Sequence, residues 1–193
     1  MKYIEVGGNW YEMGFQQGEK FKEEIKKQFQ KFCSREIWEK RGLSLGKVDI
    51  VREKILKQVK EYLPEVIEEI RGIADGAEMK FEEVQLLNFF PDIICSTSQC
   101  TNIIFTDGPD GPILGKNGDL GVSEGNPYLL RKVNSKRGYS YICCTWIGTA
   151  WTGDGMNETG LCIGSSSAPN RREKFNLKES ISSYFLRREI FPY

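Results

Sequence analysis

In a chain of 193 residues, 39% apolar side chains suffice for a core and 28% charged ones suffice to keep its surface wet, which excludes a disordered or membrane-embedded polypeptide. Lysine plus arginine number 27, as do aspartate plus glutamate, so no net field recommends a nucleic acid or an anionic membrane as partner. No apolar run approaches the roughly 20 residues that span a bilayer. The opening MKYIEVGGNWYEMG also lacks the apolar core of a signal peptide, so a cytoplasmic protein with reduced thiols is expected.

The first half reads as helix. Gly14, Gly18, Phe21, Ile25, Phe29 and Phe32 recur at spacings of three and four and form one stripe. The run EKFKEEIKKQ alternates in sign and reads as a solvated helix face. Val48, Val51, Ile55 and Val59 repeat the pattern, and Pro64 suits the first turn of a third helix carrying Ile67, Ile70, Ile73, Ala74 and Ala77. A fourth helix, from about Phe81, carries Val84, Leu86, Leu87 and Phe90 and is expected to stop near Pro91. The period then changes to 2. CTNIIF and PILGKN predict a hairpin around the turn residues TDGPDG, YLLRKV and YSYICCTWIG a second one, and MNETG the turn between two more short strands. LKESISSYFLRREI resumes helix.

The chain has no histidine, which excludes thiolate–imidazole catalysis within it. Its six cysteines form neither a CxxC pair nor a spaced framework, so no metal or cofactor is expected. GDGMNETG lacks the Gly-Lys-Ser/Thr ending of a phosphate loop. Cys143 and Cys144 would point to opposite faces of one strand, and Trp146 and Trp151 read as β-core aromatics or as the lining of an acyl pocket. A thiol can be activated without imidazole when cysteine is the first residue of its chain, because the free α-amino group then takes its proton. For Cys100 that requires cleavage of the Gln99–Cys100 bond. Asp119, at the far end of the first hairpin, would return to orient the amine, and Lys116 would stabilise a thiolate or bind substrate. The alternative is one more buried sulfur at a strand start.

CTNIIFTDGPDGPILGKNGDL resembles the stretch that opens the catalytic chain of N-terminal nucleophile (Ntn) hydrolases. Within them it is similar to the acyl-coenzyme A:6-aminopenicillanic acid acyltransferase family, relatives of the choloylglycine and penicillin V hydrolases. YEMGFQQGEKF, EEIRGIADGA, EEVQLLNFF and GDGMNETGLCIG extend the resemblance, in consistent order, over residues 3 to 190. It implies an α+β fold, the αββα sandwich, incomplete at the C-terminus. A helical segment, residues 1–99, would be cut autocatalytically from a second chain, residues 100–193. Cys100 matches the nucleophile, Asp119 the aspartate that contacts its amine, and Asn117 the asparagine beside it. Lys116 stands where the bile-salt and penicillin V relatives carry arginine. Asn157 belongs to the GMNE turn near the substrate cleft, and Ser167 occupies the position of an oxyanion-hole asparagine. Gln99 departs from the glycine that many relatives carry before the cysteine, which predicts slower self-cleavage or none. The implied substrate is a small acyl amide or thioester, with neither nucleic acid nor membrane as partner. Family members continue well beyond YFLRREI, so a second chain or another copy is expected to complete the sandwich. The alternative is a truncated, non-catalytic remnant or one part of a split protein.

Overall fold

The computed structural model describes residues 1–94, 100–118, 127–166 and 181–193, and among these described residues six helices and one strand precede Cys100. Helix α1 (Trp10–Lys20) starts at Asn9, whose side chain accepts from the Glu12 N–H while the Glu12 carboxylate accepts from the Asn9 N–H. This capping box satisfies two donors that the first turn would otherwise leave unpaired. The chain breaks at Phe21 (φ −119°, ψ 27°) before α2 (Lys22–Cys33), so the single expected stripe is two helices meeting at a buried ring. A short α3 (Arg35–Lys40) follows, then α4 (Leu45–Tyr62), capped by Ser44. Helix α5 (Pro64–Ala77) begins at its proline as the sequence predicts. Helix α6 (Phe81–Ile94) runs through Pro91 instead of stopping there. The proline falls in the last turn, where few backbone bonds remain to be lost, and the buried Phe90 and Ile93 hold that turn in place.

Helices α1 and α5 touch through backbone. A Cβ on Gly14 would fall on the Glu69 carbonyl oxygen and one on Gly18 on that of Ile73; Gly72 and Gly76 meet the Tyr11 and Phe15 carbonyls in return. Four glycines at i, i+4 spacing, two per helix, therefore set the interaxial distance.

The main sheet is ordered β1-β4-β5-β6-β7. Its strands are β1 (Lys2–Gly7), β4 (Tyr128–Asn134), β5 (Tyr141–Trp146), β6 (Asp154–Asn157) and β7 (Cys162–Ile163). β1 pairs with β4 in parallel, Ile4 opposite Arg131, and the other pairings are antiparallel. β2 (Cys100–Phe105) and β3 (Ile113–Gly118) form the expected hairpin as a separate two-stranded sheet. In the main sheet Leu129, Arg131, Val133, Tyr141, Cys143 and Thr145 are buried, while Tyr128, Leu130, Lys132, Ile142, Cys144 and Trp146 are half-buried. The buried face meets the helices: the loop after β5 is held by α1 and α6. There the Gln17 amide oxygen accepts from Gly148 N (2.8 Å), and Asn88 donates to Gly148 O (3.0 Å) and accepts from Ala150 N (2.7 Å). Gly148 sits at φ 85°, and a Cβ added there would lie 2.9 Å from Leu87 and 3.0 Å from Ile25, so a side chain is disfavoured by conformation and by space alike. The protein is thus mixed α+β, helices on one face of the sheet and the hairpin on the other. No described helix is long and apolar enough to cross a membrane.

The last helix, α7 (Ser183–Ile190), is expected from Leu177; the part of that expectation before Ile181 lies outside the described residues. α7 is clamped to the body by charge. Arg188, with no solvent exposure, donates to Glu69 of α5, whose other carboxylate oxygen lies 2.5 Å from the Arg131 guanidinium of β4. Trp10 of α1 stacks on Arg188 at 4.0 Å. Burial opposes the Arg131 charge, but Glu69 outweighs it and the net shift is upward.

Candidate active site

Strand β2 begins at Cys100, and strand parity puts Cys100 and Asn102 on the same face as Lys116 and Gly118 of β3, their partners in register being Cys100–Gly118 and Asn102–Lys116. That face looks at the main sheet. An ideal Cβ on Gly118 would lie 2.5 Å from the Tyr128 hydroxyl, and one on Gly164 would meet Leu114 and Asn102. The Ser166 hydroxyl donates to the Cys100 carbonyl (2.7 Å), tying the start of β2 to the segment after β7. Cys100 is half-buried, in a gap between two sheets.

The gap is polar. Lys116 Nζ lies 3.7 Å from Asp154 of β6, and the same Asp154 oxygen accepts from the Ser165 N–H (2.7 Å) and hydroxyl (3.0 Å). Cys144 stands opposite Asp154 in the ladder, and burial together with that carboxylate pushes its thiol up to about 11. Burial, then the charges of Cys144, Cys100 and Asp154, push the Tyr128 phenol up to about 12. At the rim Arg187 of α7 donates to Gly153 O and Ser183 O, both at 3.0 Å, with its guanidinium over the Tyr184 ring at 4.6 Å.

Of the residues expected at the site, the structure brings Lys116 to the Cys100 face and carries two elsewhere. Asn117 pairs with Thr101 on the exposed, outer face of the hairpin. Asn157 is buried on the helix side of the main sheet, donating to Phe191 O (3.0 Å) and accepting from Thr159 N, Thr159 Oγ1 and Leu161 N. It ties the turn to the residues after α7, a supporting role away from the thiol. Gln99, Asp119 and Ser167 lie outside the described residues. Trp151 is buried and Trp146 half-buried in an aromatic cluster with Phe32, Phe90 and Tyr184. Tyr128, Asp154, Ser165, Ser166 and Arg187 are site neighbours that sequence reasoning missed; parity in YLLRKV would have marked only the first. A cavity of about 280 Å³ lined by Trp10, Met13, Val133, Ser135 and Tyr141 sits at the opposite end of β4 and is separate from Cys100.

The sequence matches no protein-family model, and no curated protein is significantly similar to it.

Proposed function

We propose that the protein is a cysteine amidohydrolase or acyltransferase of the Ntn type, cut before Cys100 and acting on a small acyl amide or thioester. The observation that carries this reading is the position of Cys100: it opens a strand, half-buried, facing Lys116, Asp154 and Tyr128, in a chain without histidine. The layering supports it too, since a helical layer, a main sheet and a second sheet follow the α, β, β order that such a sandwich would have. Scission of the Gln99–Cys100 bond frees an α-amino group that takes the thiol proton. The thiolate attacks the carbonyl, and water or an amine then accepts the acyl group. Asp119 orients the amine, as the resemblance implies, and Lys116 supplies a cation beside the thiolate. Nucleophile and base come from one residue, and the reaction as written calls for no cofactor. A second chain or another copy covers the outer face of the hairpin, where Ile103, Phe105 and Ile113 are 52%, 60% and 50% exposed.

That bare face favours a second reading, a non-catalytic remnant of the same fold. Intact-mass spectrometry separates the two: pieces spanning residues 1–99 and 100–193 support the enzyme, and a permanently uncut chain supports the remnant. Turnover of a panel of p-nitroanilides and thioesters should drop to background in Cys100→Ala. Turnover at the wild-type rate in that variant would end the enzyme reading.

A further inference from the structure

Acyl transfer at Cys100 moves negative charge onto the carbonyl oxygen, and preorganised donors aimed at that oxygen are a large part of catalysis at such sites. The Asn157 amide is on the far side of the sheet and bonded to Phe191 O, so it does not supply one. Tyr128 is differently placed. Its hydroxyl points across the gap to Gly118, 2.5 Å from where a Cβ would stand, and Gly118 is the register partner of Cys100. Paired residues have Cα atoms about 4.5–5.5 Å apart and project to the same face, so phenol and thiol share one space. Any side chain at 118 would occupy the place of the ring's tip.

Resting on the Cys100 reading above, we propose that the Tyr128 hydroxyl is the side-chain donor to the oxyanion formed there. Burial and the neighbouring Cys144, Cys100 and Asp154 hold the phenol protonated throughout the neutral range, so it donates. As the Cys100 sulfur forms its bond to the carbonyl carbon, the C=O π pair moves onto oxygen, which accepts a hydrogen bond from Tyr128; the phenol keeps its proton. Collapse re-forms the C=O and breaks the bond to the leaving group, which takes the proton that the Cys100 amine had removed from the thiol. Tyr128 sits on a paired strand of the main sheet, so its aim is fixed before substrate arrives.

The test compares two reagents for the same thiol in the full chain. p-Nitrophenyl acetate acetylates Cys100 through a tetrahedral oxyanion, and iodoacetamide alkylates it without one; both are read by peptide mass spectrometry. Tyr128→Phe should slow acetylation about 100-fold while alkylation stays within about two-fold of wild type. Gly118→Ala, which displaces the phenol and leaves it in the chain, should reproduce the selective loss. Unchanged acetylation in a folded Tyr128→Phe protein, or equal loss of both reactions in both variants, overturns the assignment. Amide and thioester turnover in Cys100→Ala distinguishes the failures: if it persists, the Cys100 reading falls and takes Tyr128 with it. If it vanishes while Tyr128→Phe acetylates normally, only Tyr128 falls.

Discussion

Asp92, in the last turn of α6, is held up to about 6 from an ordinary 3.8 by burial, against a hydrogen bond from Ser182 and the charge of Arg187 that pull it down. Between those two values the unfolded chain has lost the proton that the folded chain still binds. Stability therefore falls as pH rises through the window from about 4 to 6 and stays low above it. At about 1.4 kcal/mol per unit, the loss at neutral pH reaches roughly 3 kcal/mol. Asp92→Asn removes the titration, so its Tm should exceed that of wild type at pH 7, and the two should converge near pH 4. A gap of constant size across that range would show that the carboxyl is solvated. Burial likewise pushes the Cys33 and Cys143 thiols up, leaving them inert.

Between elements, the contact that tolerates least is the α1–α5 crossing. Gly72→Ala drives a methyl group onto the Tyr11 carbonyl, and backbone on a packed helix cannot swing aside as a side chain can. The expected cost is about 3 kcal/mol, read as a lower midpoint in urea, while Gly46→Ala, with open space around its Cα, should change little. The Gly14–Gly18 stripe is legible in the sequence because small residues at helical spacing mark a face. That the opposing face is also glycine, Gly72 and Gly76, is a property of the pair and is written in neither helix alone. The same holds for the polar ties. Gln17 and Asn88 look like surface residues in a helical pattern, yet both are buried because the loop at Gly148 needs their amides. The hairpins are legible since turn chemistry and alternation are local. The surroundings of Cys100 are not, because Ser166 meets its carbonyl, and Asp154 meets Lys116 on the same hairpin face, only once the sheets are stacked.

For the molecule as a whole, the Glu69 carboxylate joins the two halves of the chain. It takes one guanidinium from β4 and one from α7, all three groups being at most 1% exposed. Glu69→Gln leaves two buried cations facing a neutral amide, and the expected loss is about 3–5 kcal/mol of folding stability, measured by denaturant titration. A loss under 1 kcal/mol would mean that the arginines reach water. No composition or spacing rule signals this clamp, since Arg131 and Arg188 read as ordinary strand and helix charges until β4 and α7 are laid against α5. β1 also escapes a local reading. Its alternation of Ile4 and Val6 with Tyr3 and Glu5 has the period of a strand, but a strand is assigned by its partner, and the partner here is remote.

That remote partnership dictates an order of events during synthesis. Lys2 to Gly7 emerge long before their partners, and their ladder cannot close until Leu129 to Asn134 have left the ribosome, so the helices must wait beside an unfinished sheet. Any break before Cys100 thus occurs in a body already laced across the cut. The first strand is an edge strand bonded to β4 alone, and that one ladder would still hold the two products of such a break together.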